Sequence, residues 1–263
     1  MSDRRQRQKE QRAAKRETEK KQAARKELGR RLATAMAFGL VVVTIFALSG
    51  TFSGESTDLP RSYEGFRSQP TACGADQPPA ETIMSFETPE TQSDITATSH
   101  VTATMATSCG DIVMELDPAN SPETVNSFVF LAREGFFDGQ VFHRIAEGFV
   151  IQGGDPEANG TGGPGYVIAD EFPTAPDFIY EVGAVAMANS GARSTGSQFF
   201  FVIGEDARHL TSSFNVLGKV LSGQEALGKM EQVPKGVLPG SVEKSLPLET
   251  VYIESVTIDV TDS

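Results

Sequence analysis

Phe142-His143-Arg144-Ile145-Ala146-Glu147-Gly148-Phe149-Val150-Ile151-Gln152-Gly153-Gly154-Asp155-Pro156 reads as two short strands folded on each other. Phe142 to Ile145 forms the first and Phe149 to Gln152 the second, with Glu147-Gly148 as the turn. Side chains alternate across an extended segment. Phe142, Arg144 and Ala146 therefore share one face, His143 and Ile145 the other, and Val150 and Gln152 share a face in the second run. An Arg and a Gln among apolar strand residues need partners, because an unpaired buried polar group is costly. Either they satisfy each other in a core network, or they point into a wet site beside Phe149.

Working outward, the same grammar of short strands continues. Val101 to Thr107 and Ile112 to Leu116 are strands around a turn at Cys109-Gly110-Asp111. Ser121-Pro122-Glu123 opens a helix, with Ser at the N-cap, Pro at the first position and Glu in the first turn. Val125, Phe128, Val129 and Ala132 give that helix its apolar face, and Gly135 ends it. Gly183 to Ala188, Ser197 to Ile203, Phe214 to Val220 and Val251 to Val260 are further strands, and Gln224 to Met230 is a second short helix. Gly160, Gly162 and Gly165 match Gly-x-Gly-x-x-Gly, but Pro164 sits inside the loop and no strand-helix-strand unit surrounds it. A dinucleotide site is therefore rejected, and the segment is read as a tight loop near the hairpin. The sum is a mainly β fold: a closed antiparallel eight-stranded barrel capped by two helices.

The chain has 263 residues and a formal net charge of −12. Residues 1–31 hold thirteen of the 23 Lys and Arg and five of the 35 Asp and Glu, so a basic tail precedes an acidic body. The acidic body argues against nucleic-acid binding. Residues 32–49 are uncharged and apolar all round. At about 1.5 Å per residue such a run spans a hydrocarbon core of roughly 30 Å. Residues 1–31 are thus expected to be a cytoplasmic tail, 32–49 a single transmembrane helix and 99–263 an extracytoplasmic globular domain. The alternative is secretion after signal cleavage near Ser49; the long basic region favours an anchor. Residues 50–98 are rich in Ser, Thr, Pro, Glu and Gly and are expected to be a flexible linker, part of which can dock through Tyr63, Phe66 and Cys73. A bridge between Cys73 and Cys109 would pin that linker to the first hairpin, since both lie on the outer side.

Three segments together carry a family resemblance. A Phe-His-Arg strand leads into Gly148-Phe149-x-x-Gln152-Gly153-Gly154-Asp155. Met187-Ala188-Asn189 and Gly196-Ser197-Gln198-Phe199-Phe200 follow in order. In these residues the chain resembles the cyclophilin-type peptidyl-prolyl cis-trans isomerases, over roughly residues 100–260; the anchor and basic tail look bacterial. The resemblance implies the same barrel, an isomerase acting on proline-containing polypeptides, and no cofactor. It implies that Arg144 is the catalytic residue. It further implies that Phe149, Val150, Phe200 and Leu210 line a cup for the proline ring, and that Gln152, Ala188, Asn189 and Gln198 contact the substrate backbone. Where the family places a Trp before that Leu and often a His four residues after it, this chain has His209 and Phe214, which argues against tight cyclosporin binding.

The residue types suit that chemistry. Rotation about a peptide C–N bond faces a barrier of ~18–20 kcal/mol from amide resonance, and no covalent bond has to break. No metal or nucleophile is required. Three His and two Cys make no convincing metal cluster, and no Gly-x-Ser-x-Gly segment is present. The enzyme reading places the activity on exported or membrane-proximal folding chains. The other reading is a chaperone module that grips proline segments with little turnover. For Arg144 itself the plainer alternative is a structural ion pair.

Overall fold

The computed structural model describes residues 59–80, 84–238 and 240–261. Ten strands are formed: β1 (His100–Thr107), β2 (Ile112–Leu116), β3 (Arg144–Ala146), β4 (Val150–Gly153), β5 (Ala184–Met187), β6 (Phe199–Val202), β7 (Val216–Ser222), β8 (Lys235–Val237), β9 (Lys244–Pro247) and β10 (Ile253–Thr261). Helices are α1 (Tyr63–Arg67), α2 (Pro122–Arg133) and α3 (Gln224–Glu231). Eight strands make one curled antiparallel sheet, a half-barrel, in the order β10-β1-β2-β7-β5-β6-β4-β3, while β8 and β9 form a separate hairpin. The fold is mainly β, as the spacing of short strands predicts.

Closure of the expected barrel is not made by its end strands. Among the described residues β3 and β10 do not pair with each other; β9 packs against β3 instead. The segments just ahead of them meet through the isolated bridge Val141↔Tyr252, with Phe142 N donating to Val251 O at 2.9 Å and Gly139 N to Ile253 O at 2.7 Å.

The sheet has two faces, and the strand period separates them. Ile145, Ile151, Val185, Met187, Phe199 and Phe201 enter the main core, where Phe199 meets Phe128 of α2 and Phe137 at ring separations of 6.0 and 5.8 Å. Ala146, Val150, Ala186, Phe200 and Val202 point the other way into a second apolar cluster. Phe142 departs from the expected pattern: it is fully buried in the main core, not beside Arg144, because the regular strand begins only at Arg144.

Helix α2 buries Val125, Phe128, Val129 and Ala132 as its period predicts. Ser121 occupies the N-cap but its side chain makes no capping bond. The Glu171 carboxylate caps instead, accepting Glu123 N at 3.0 Å and Thr124 N at 2.8 Å. A carboxylate at a helix N-terminus satisfies free N–H groups and complements the dipole.

The described residues among 59–98 lie against the body, and Tyr63, Phe66 and Cys73 are among their points of attachment. Tyr63 and Phe66 are buried with Val141, Ala158, Leu246 and Tyr252 over the seam between the ends of the sheet. Thr71 bridges Thr250, and Ala72 N donates to Thr250 O at 2.9 Å. Further on, Phe86 packs edge-on against Phe130 at 5.0 Å, and Arg133 forms a two-point pair with Asp94 at 2.9 and 2.6 Å. A few apolar side chains suffice to dock a polar strap. A disulfide joins Cys73 to Cys109. No described helix is long and apolar enough to cross a membrane; the expected tail over 1–31 and anchor over 32–49 lie outside the described residues.

Candidate active site

The second apolar cluster and the polar residues of the same strand face form one surface. Cross-strand register sets it: Arg144 lies opposite Gln152, and Gln152 opposite Phe200. The structure thus brings together Arg144, Phe149, Val150, Gln152, Ala188, Gln198, Phe200, Leu210 and Phe214. Phe200 and Phe214 meet edge to face at 5.4 Å, and Phe149, Leu210 and Phe214 remain only partly buried. Asn189 follows Ala188, with its amide donating to Ser213 O at 2.8 Å. His209 is the exception. It ends a 3-10 turn over Glu205–His209 and is exposed outside the cluster, because the turn brings Ala207 and the following Leu210 inward and leaves His209 facing out.

The polar residues form a directed chain. Arg144 Nη1 donates to Gln152 Oε1 at 3.3 Å, Gln152 Nε2 to Gln198 Oε1 at 3.0 Å, and Gln198 Nε2 to Gly162 O at 2.9 Å. A guanidinium can only donate, so each amide is oriented by its neighbour. Gly162 belongs to the glycine loop, which is held by Asp155: its carboxylate accepts Glu157 N, Asn159 N and Gly160 N. The loop therefore serves as a wall of the site.

Arg144 also makes the ion pair that was the plainer alternative. Its Nε and Nη2 donate to the two oxygens of Glu243 at 3.0 and 2.6 Å, and its Cζ lies 5.4 Å from the Phe149 ring centroid. Burial alone would raise the Glu243 carboxyl, but the Arg144 hydrogen bond and charge and the Ser245 hydroxyl hold it below the usual carboxylate range. An open cavity of about 430 Å³ lies beside Phe149, lined by Ala146, Glu147, Phe149, Asp206, Glu243 and Lys244.

Two contributors escape sequence reading. Tyr180 is fully buried; its hydroxyl donates to Phe214 O at 2.8 Å and accepts Phe214 N at 3.0 Å, which fixes the ring over Phe200. Glu243 comes from a loop 99 residues from Arg144. Neither shows a local pattern, although the aromatic spacing Phe178-x-Tyr180 hints at a buried edge.

The close approach of β4 to β6 is set by Gly154, at φ +78° with its carbonyl accepting Ser197 Oγ at 2.6 Å. A Cβ there would lie 2.4 Å from Ser197 O and 2.9 Å from Phe199 Cδ1. Gly154→Ala is expected to cost about 2–3 kcal/mol of stability by denaturant unfolding, combining left-handed strain with backbone overlap. An unchanged midpoint would contradict this geometry.

His143 is buried, and desolvation lowers its pKa from 6.5 to about 4; the Asp155 charge opposes that and the Arg144 charge adds to it. The folded value is depressed, so the unfolded chain binds this proton first as pH falls. The contribution is fully present above about 6.5 and is lost from there down toward 4. His143→Gln should flatten the fall in unfolding free energy across that window; an unaltered slope would show that other groups cause it.

The cyclophilin type peptidyl-prolyl cis-trans isomerase family model matches residues 102–258, which covers all of the sheet except the outer ends of β1 and β10, together with α2, α3 and every residue named above in the site. The chain belongs to this family. It is 40% identical over 172 residues to peptidyl-prolyl cis-trans isomerase B of Streptomyces anulatus, covering 60% of this chain and 95% of the relative. It is 39% identical to peptidyl-prolyl cis-trans isomerase A of Mycobacterium tuberculosis, covering 60% of this chain and 91% of the relative. A Cryptosporidium parvum cyclophilin type isomerase, solved in the presence of the dipeptide Ala-Pro, superposes with a TM-score of 0.54 at 28% identity, covering 60% of this chain and 98% of that one. The candidate site lies on the face of β3, β4 and β6 that carries the second apolar cluster.

Proposed function

We propose that this cyclophilin accelerates X-Pro isomerisation in exported or membrane-proximal folding polypeptides, with Arg144 as its catalytic residue. Phe149, Val150, Phe200, Leu210 and Phe214 form the cup for the proline ring. Gln152, Ala188, Asn189 and Gln198 hold the backbone on either side. The observation that carries this reading is the placement of a fixed guanidinium at the edge of an apolar cup, on one strand face with Gln152 and Phe200. In the twisted state the prolyl nitrogen regains lone-pair character and accepts a hydrogen bond that the planar amide does not. Arg144 spends three of a guanidinium's five N–H groups on Glu243 and Gln152, which leaves donors for that nitrogen. An acceleration of ~10⁵ corresponds to roughly 7 kcal/mol of differential stabilisation.

Exchange NMR on a short X-Pro peptide tests this. Rapid cis–trans exchange at catalytic protein concentration is the expected result. Binding without exchange would support the weakly catalytic chaperone instead. For location, the Cys73–Cys109 bridge supports an oxidising compartment, in line with an anchor over 32–49 and a body outside the membrane of a bacterial cell. Fractionation with protease shaving of intact cells tests it; a body protected from external protease and found with the cytosol would refute that placement.

A further inference from the structure

Glu243 immediately precedes β9, which pairs with β8 in a hairpin outside the main sheet. Its carboxylate is itself held in place. Ser245 Oγ donates to Oε2 at 2.9 Å, and Glu243 N donates to Ser241 Oγ at 3.0 Å. Ser245 is buried on β9, and β9 packs against β3, the strand that carries Arg144. The carboxylate meets the Nε/Nη2 edge of the guanidinium at two points. Gln152 takes an N–H of Nη1, and the Phe149 ring lies against the cation. Three elements thus fix one planar group: the hairpin loop, β4, and the turn between β3 and β4.

We propose that Glu243 is a positioning residue for isomerisation: it sets the plane of Arg144 so that the remaining N–H groups face the apolar cup. This rests on Arg144 acting as proposed above. A long side chain rotating about four bonds presents its donors in many directions. A two-point carboxylate removes most of that freedom, and a rigid fork suits a donor that must meet a nitrogen only in the twisted state. A mask over Arg144 would require the carboxylate to occupy the cup. Glu243 instead lines the cavity on the far side of Phe149, with Glu147 and Asp206; Phe149 is shared between that cavity and the cup, whereas Val150, Phe200 and Phe214 lie outside the cavity's lining. The β8–β9 hairpin therefore belongs to the reaction, through one side chain, although it touches no substrate.

The test is steady-state kinetics of the full-length protein in mild detergent on an Ala-Pro-containing peptide, with E243A, E243Q, E243D and S245A. E243A is expected to lower kcat about tenfold, with KM within about twofold of wild type. E243Q should resemble E243A, because its NH₂ opposes a guanidinium N–H. E243D should recover part of the loss, and S245A should fall between. On an Arg144→Ala background E243A should change nothing further. The Arg144 Nε–Hε resonance gives a readout apart from turnover: sharp and slowly exchanging in wild type, broadened in E243A. Should E243A fail to fold, E243D and S245A carry the same comparison. Unchanged kcat in E243A with normal wild-type turnover would overturn the proposal alone, and raised kcat would make Glu243 a mask instead. Wild-type protein that accelerates nothing, despite a sharp Hε signal, would overturn the isomerase reading and this proposal with it.

Discussion

Arg144→Ala is expected to lower kcat/KM for an X-Pro peptide by about 10²–10³-fold, the usual effect of deleting a preorganised donor aimed at developing charge. The loss should fall on kcat, because the hydrogen bond to the prolyl nitrogen exists only in the twisted state. Peptide affinity should change little, since the cup of Val150, Phe200 and Phe214 remains. Stability should change little too. Arg144 and Glu243 keep about a quarter and two-fifths of their side-chain surfaces exposed, and ion pairs at such exposure contribute about 0–1 kcal/mol. Arg144→Lys separates charge from geometry. An ammonium keeps the cation but has no planar fork with which to meet Glu243 and Gln152 together, so most of the loss should persist. Retention of full activity by Arg144→Ala, in a protein with the wild-type melting profile, would mean that the cup alone twists the bond.

Strand alternation made half of this site legible. It placed Arg144 and Ala146 on one face and Val150 with Gln152 on one face, and the register opposes Arg144 to Gln152. The same alternation separates Phe199 and Phe201, in the main core, from Phe200, in the second cluster. Alternation misplaced Phe142, since it holds only inside a regular strand. What lay beyond reach were contacts between segments distant along the chain. Glu243 sits in Pro-Gly-Ser-Val-Glu-Lys, where nothing periodic marks it, and it gains its meaning only because β9 packs on β3. Tyr180 and Glu171 act in the same way, each bonding backbone groups of a remote element. At residues 59–98 the sequence marked Tyr63, Phe66 and Cys73 as docking points, but not Phe86 or Asp94, which meet Phe130 and Arg133 of α2.

That strap is the basis of the second large effect. Reduction of the Cys73–Cys109 bridge, or Cys109→Ser, is expected to cost about 4 kcal/mol, the chain-entropy value for closing a loop of this sequence separation, 36 residues. The bridge ties the strap to the turn between β1 and β2, while Tyr63, Phe66 and Thr71 of the same strap cover the seam beside Tyr252 and Thr250. The seam lacks a ladder between β3 and β10, so the strap supplies apolar burial and hydrogen bonds that a closed barrel would provide through its strands. Loss of the bridge should therefore lower the unfolding midpoint and admit hydrogen exchange first at Val141, Tyr252 and Ile253, ahead of the paired centre of the sheet. Arg144 begins the strand just past that seam, so turnover at elevated temperature should fail before global unfolding. Equal midpoints for the oxidised and reduced forms would show that the packed strap holds the seam without the covalent tie.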